Sequence, residues 1–345
     1  MTNPAPLHRL AHLPVAFFSM VMGLAGLSIA WHKAEQVLAI GLPIADILLG
    51  IATLAFLVLG LAYLTKLIRY REAVHKELAH PIQLNFFPTI SMSLLLLGIA
   101  TLEHWPGLAG VLWVIGATSQ LLLTLYVLNV WIHHEGFEVH HVNPAWFIPV
   151  VGNVLVPIAG ARLGFIETSW FFLAIGLLFW LLLFAIVLQR FIFHPSLPDR
   201  LMPTFFILIA PPAVGFIAYL QLSGGLDALA RILYYSGLFL TLLLTVQVGR
   251  FLRLEFFLSW WAYSFPLAAM TTATFIMYQL TQNLAFAILG WGLLSLVSLV
   301  VVYLLYRTAR AVREGQICVP VHEGSLPEGS SRIPPAPQVG PAAVQ

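Results

Sequence analysis

Charge is scarce in this chain. Of its 345 residues only 9% are Asp, Glu, Lys or Arg, against roughly a quarter in an ordinary soluble domain, while 60% are hydrophobic. From Phe256 to Tyr306 there is no charged residue at all, room enough for two spanning helices of about 20 residues and the turn between them. A soluble core has no use for such a run. Cysteine is nearly absent too: Cys318 alone, beyond the last apolar run, excludes a disulfide framework, a redox pair and cysteine-based zinc or iron–sulfur sites. The net charge of +2 leaves no basic surface for nucleic acid. Carboxylates inside the apolar runs are scarcest of all. Asp46 is the one example, a single turn from the start of its run. Proton relays and coupled pumps are built on intramembrane ionisable groups, so a passive or gated path suits this composition better than a driven one.

What is present is an all-α integral membrane pattern. Apolar runs and loop signals place ten spans near 14–31, 43–65, 85–102, 108–131, 145–163, 168–190, 202–221, 228–250, 257–278 and 284–306. Ser28-Ile29-Ala30 resembles a signal cleavage site, but the run from Leu13 to Trp31 is longer than a signal core and reads as a span. Arg9, Lys66, Arg69, Arg71, Lys76, Arg190, Arg200, Arg250, Arg253, Arg307, Arg310, Arg313 and Arg332 all fall on the side of the two termini, 13 of the 16 cations. Lys33, Arg162 and Arg231 fall on the other. Cytoplasmic loops carry the excess of Lys and Arg, so both termini are expected in the cytoplasm. The chain divides into an N-terminal segment 1–13, a transmembrane domain 14–306 and a tail 307–345, whose prolines from Pro320 to Pro341 predict disorder.

Proline placement is the most informative pattern. Pro14, Pro88, Pro149 with Pro157, Pro203 with Pro211 and Pro212, and Pro266 fall in the first halves of the odd spans, whereas even spans have none inside. A proline in a helix removes a hydrogen bond and clashes with the preceding turn, so each odd span is expected to kink there. In a bilayer such backbone is tolerated only beside protein or a wet cavity. Five helical hairpins follow, with the kinked members inward. An aromatic accompanies each proline, as in Phe86-Phe-Pro, Trp146-Phe-Ile-Pro and Tyr263-Ser-Phe-Pro, which makes a weak fivefold repeat. Small and hydroxylated residues gather on the same spans: Ser19, Gly23, Thr89, Ser93, Gly152, Asn153, Gly215, Thr271 and Thr272 are candidates for the wall of a polar path or for close helix packing. Helix N-termini inside the protein, with Ser and Thr hydroxyls, favour anions. The twelve histidines lie in loops, at span ends or in the tails, which excludes paired axial haem ligands. The dense run His133, His134, Glu135, Glu138, His140 and His141 matches no standard metal spacing and reads as a solvated loop. Neither cofactor nor metal is expected.

The stretch from Trp260 to Thr271 (WWAYSFPLAAMT), with the ten spans and their odd-span prolines, resembles the tellurite-resistance/dicarboxylate transporter family, of the TehA and plant slow anion channel type. That resemblance covers roughly residues 10–315. It implies a homotrimer in a bacterial inner membrane, with one pore per protomer formed by the five odd spans in quasi-fivefold arrangement. It also implies that Phe265, directly before Pro266, plugs the pore. The function expected is a gated channel for small monovalent anions, since a pore without an arginine clamp does not suit a dicarboxylate. The alternative is a proton-coupled C4-dicarboxylate, sulfite or tellurite carrier, with Asp46 as its embedded acid. A membrane enzyme would lack interior groups for chemistry.

Overall fold

The computed structural model describes residues 6–38, 41–133 and 137–318, and every regular element among them is helical. Eight helices are long and apolar enough to cross a membrane: Val15–Val37, Ile44–Arg69, Gln83–Thr101, Pro106–His133, Ile166–Phe193, Asp199–Ser223, Ala228–Val246 and Leu284–Arg313. These are spans 1–4, 6–8 and 10. The shorter Pro144–Gly160 takes the fifth place. Leu258–Tyr263, continuing as Ser264–Thr281, takes the ninth.

Odd and even spans differ in what surrounds them. In spans 1, 3 and 7, 67–72% of the most apolar stretch is buried, against 17–39% in the five even spans. The contacts explain why. Span 1 packs on spans 3 and 9, span 5 on spans 3 and 7, and span 7 on span 9, so the odd spans close a five-membered ring. Each even span packs on the odd span before it and touches the odd span after it; span 10 reaches back to span 1 in the same way. The exposed leucines and isoleucines of the even spans, such as Leu61, Leu122, Leu181 and Leu299, therefore face lipid.

The prolines act differently from simple kinks. Every odd span has a 3-10 stretch that gives way to α-helix: Val15–Phe17 before Phe18–Leu38, Gln83–Phe86 before Thr89–Thr101, Gly152–Leu155 before Val156–Gly160 (after an earlier 3-10 turn Pro144–Trp146 and α-turn Phe147–Val151), Asp199–Ile209 before Ala210–Ser223, and Leu258–Tyr263 before Ser264–Thr281. Pro88 caps its α-helix, while Pro157, Pro211, Pro212 and Pro266 occupy the first turns of theirs. There the missing N–H has no intrahelical acceptor to lose. Pro14 precedes the first 3-10 turn, Pro203 lies within the fourth of these 3-10 stretches, and Pro149 sits in the short α-turn Phe147–Val151. So most of these prolines mark a change of helix type, while Pro149 and Pro203 lie within short helical stretches that precede one. In or beside each of these 3-10 stretches a side chain donates to the carbonyl three residues back: Ser19 to Ala16, Thr89 to Phe86, Asn153 to Val150, Thr204 to Leu201 and Ser264 to Trp261. This recurring bond satisfies backbone that tight helical turns leave underused.

Two further departures concern span ends. Span 2 runs on to Arg69, so Lys66 belongs to its last turn and is buried. Span 10 runs on to Arg313, and a turn at Gly315 (φ +69°) brings residues 314–318 back beside Arg9. Positions 319–345, most of the expected tail, lie outside the described residues, as do His134 and Glu135.

Candidate functional site

A cavity of about 390 Å³ lies inside the ring, on the side of the termini, and its wall comes from all five odd spans and from no even span. At roughly 30 Å³ each it has room for about a dozen waters. Phe86, Arg200, Phe257 and Ser259 are among the lining residues nearest the starts of their spans, and Met22, Met92, Leu155, Val214 and Phe265 with Pro266 are those farthest along the five odd spans, toward its inner end. Phe265 is 8% exposed. Its ring lies against span 1 where a glycine makes room: a Cβ on Gly26 would stand 3.1 Å from Phe265 Cδ2.

The wall is mostly apolar. Of the candidate lining residues, Ser19, Thr89 and Gly152 contribute to it, as do Pro14, Pro211 and Pro266. The hydroxyls of Ser19 and Thr89 donate to their own helices, so their protons are not free to replace an anion's hydration shell. Arg200 is the one charged side chain in the wall. His80 lies close to it, and burial together with the Arg200 charge holds that imidazole below its ordinary pKa.

The other candidates sit in helix–helix contacts. Gly23 faces span 9 so closely that a Cβ would come within 2.2 Å of Ser264 Oγ. Gly215 faces Leu177 and Leu233 of the even spans 6 and 8. Ser93 is buried against span 1, donating to Phe18 O as well as to Thr89 O. Thr271 and Thr272, one to two turns beyond Phe265, are buried and donate to Leu267 O and Ala268 O. In an apolar interior a small or hydroxylated residue marks close backbone approach as readily as a wet surface, and sequence alone does not separate the two.

Gly23 gives a direct test of the packing of span 1 on span 9 beside Phe265. Gly23→Ala is expected to cost about 1–3 kcal/mol by forcing spans 1 and 9 apart. The second change Ser264→Gly should recover most of it. Thermal melting of the single and double variants checks this; an unshifted single variant would mean that the contact yields freely.

Residues 12–309 match the SLAC1 family, described as voltage-dependent anion channels. The chain belongs to that family. It is 34% identical to the S-type anion channel SLAH2 of Arabidopsis thaliana over 275 residues, 77% of this chain and 52% of the plant protein. It is 30% identical to the tellurite resistance protein TehA homolog of Haemophilus influenzae over 285 residues, 81% of this chain and 84% of the other. An uncharacterized transporter of Methanocaldococcus jannaschii, MJ0762, is 27% identical over 326 residues, 88% and 95% of the two chains. The chain spans about half the length of the plant channels SLAH2 and SLAH3.

In this SLAC1-family chain the polar groups that hold the site lie behind the wall. Pro149 O, next to the break in span 5, accepts from Gln120 Nε2 at 2.9 Å and Thr124 Oγ1 at 2.6 Å, both on span 4. Ser91 Oγ of span 3 donates to Gln120 Oε1, and Asn153 Nδ2 donates to Thr124 Oγ1. Asn153 is fully buried in this network, with Gly152 beside it on the cavity. Gln120 and Thr124 sit among the apolar residues of a lipid-facing span. Their signal was a polar pair one turn apart, on the face opposite the exposed Leu122 and Leu125.

On the loops, His140 pairs with Glu138 at 3.1 Å, while His141 Nδ1 accepts the Glu138 N–H. Asp46 is exposed in the first turn of span 2, with His104 Nε2 3.5 Å from its Oδ1.

Proposed function

We propose that the protein is a gated channel for small monovalent anions, closed at Phe265. The observation that carries this reading is the cavity itself, built from one segment of each odd span and ending on that ring. Five α-helix N-termini begin around it, and their partial positive charge favours anions. Arg200 at the rim adds a full charge. No carboxylate contributes to the wall to repel them. The relatives named S-type anion channels lend their chemistry to this reading. So does the apolar wall, which suits ions that cross with part of their water and offers a dicarboxylate no paired cations.

The protein works as a homotrimer in a bacterial inner membrane, with both termini in the cytoplasm, so the cavity opens to the cytoplasm and the ring seals it from the far side. The exposed position of Asp46 disfavours a proton-coupled carrier, which would need an acid within the path. Proteoliposome flux tests the reading. Chloride and nitrate should move down their gradients when a potassium ionophore balances charge, at rates that a protonophore leaves unchanged. Uptake of malate or sulfite that collapses with the proton gradient would replace the channel with a carrier.

A further inference from the structure

On the face away from the termini the odd helices end, and the C-terminal ends of their dipoles carry partial negative charge. An anion leaving the pore meets those ends unless something offsets them. Ser19, Gly26 and Lys33 are seven residues apart along span 1, two turns each, and so share one face of the helix. Ser19 lines the cavity and Gly26 receives the Phe265 ring. Lys33 therefore continues the pore-facing stripe, about 10 Å beyond the ring. It is half-buried, and the charges of Glu103 and Arg162 act on its ammonium.

Glu103 lies just past the end of span 3 and Arg162 just past the end of span 5, so three neighbouring members of the ring meet here. The Glu103 carboxylate accepts from Gln36 Nε2 at 2.9 Å, lies 2.8 Å from His32 Nε2 and accepts from Arg162 Nη1 at 3.4 Å. Burial works against its charge, but the His32 and Gln36 hydrogen bonds and the His32 and Arg162 charges hold its pKa below the usual carboxylate value. It is ionised at neutral pH. Only three lysines and arginines belong to this face by the positive-inside count, and two of them stand at this point.

We propose that Lys33 and Arg162 form an anion-receiving site at the end of the pore away from the termini, with Glu103 as a built-in counter-charge that a small inorganic anion displaces. The proposal rests on the channel reading above. An internal carboxylate keeps such a site weak, and a conducting site must be weak enough to release its ion.

Planar-bilayer chloride conductance in the Phe265→Ala background tests it. At about 20 mM salt, Lys33→Gln should lower conductance about three- to tenfold, and at about 1 M, where charges are screened within a few ångströms, by less than about twofold. Lys33→Arg should keep the parent value, and Glu103→Gln should raise conductance at low salt. Equal low-salt conductance of Lys33→Gln and parent would overturn the site. A Glu103→Gln conductance that fell to the Lys33→Gln level would overturn the counter-charge. A second arm needs no current: iodide quenching of the tryptophans in the solubilised wild-type protein, where Trp105 lies two residues from Glu103, should show a saturable part that Lys33→Gln removes. If Phe265→Ala carries no current, the channel reading fails while this arm still decides the site. Loss of saturable quenching supports it, and unchanged quenching ends it.

Discussion

Phe265→Ala is expected to raise anion conductance about a hundredfold over a nearly silent wild type, the factor given by a barrier lowered by about 2.7 kcal/mol. The argument is geometric. Phe265 shares the cavity wall with Met22, Met92, Leu155 and Val214, one residue from each of the other odd spans, and 8% of it is exposed, so a plug formed by its ring would stand where the five spans converge. An apolar plug excludes water, and an ion that must shed its hydration to pass meets a barrier of several kcal/mol. Alanine removes the ring but keeps the helix, because Pro266 and the Ser264–Trp261 bond are untouched. Phe265→Leu, which retains much of the bulk, should conduct at an intermediate level. Patch-clamp currents in chloride, then nitrate, then malate would rank the ions from the same traces. A silent alanine variant whose melting temperature matches the wild type would exclude the ring as the barrier.

Glu77→Gln is expected to destabilise the protein by about 3–5 kcal/mol, because it strands a buried cation. Lys66 and Glu77 are 1% and 7% exposed, with Nζ 2.7 Å from Oε2. The same carboxylate accepts from Tyr63 Oη at 2.7 Å and from the Val15 N–H at 3.1 Å, and Lys66 also donates to Leu13 O at 2.8 Å. The pair thus anchors the strand of chain that carries Pro14 into the cavity wall, and the carboxylate meets an orphan N–H at the start of span 1. A loss of that size should lower the melting temperature by about 10 °C. The double change Lys66→Met with Glu77→Leu should restore most of it, since an apolar pair of similar volume carries no desolvation cost. If the double variant is as unstable as the single one, the role lies in the Val15 and Leu13 contacts and not in the charge pair.

Much of the fold was readable because membrane physics constrains residue type so tightly. Charge-free runs locate spans, and proline alternation separates inner from outer helices, since backbone missing hydrogen bonds cannot face lipid. The form of the break was not readable. A proline interrupting an α-helix and a proline opening one after a 3-10 turn leave the same mark in a sequence, and only the backbone distinguishes Pro266 in its first turn from a mid-helix kink. The cavity's inner end was equally hidden, because Met22, Met92 and Val214 are ordinary residues in a chain that is 60% hydrophobic. Lys66 falls just outside the span 43–65 expected from the sequence and so reads as a loop cation. Its pairing with Glu77 lets it be buried in the last turn of the helix instead, which no single-residue preference reveals. Phe265 stood out only through the resemblance carried by its neighbours from Trp260 to Thr271.

Closure of the ring also sets the order in which the protein is completed. Span 1 is made early, yet the face it presents with Gly23 and Gly26 meets its partner only when span 9 arrives. At synthesis rates of about 5–20 residues per second, some ten to fifty seconds separate the two. During that interval the seam is open to lipid or to a neighbouring chain. Ribosome-stalled chains ending after span 8, with that seam uncovered, are therefore expected to be more open to membrane proteases than chains that include span 9.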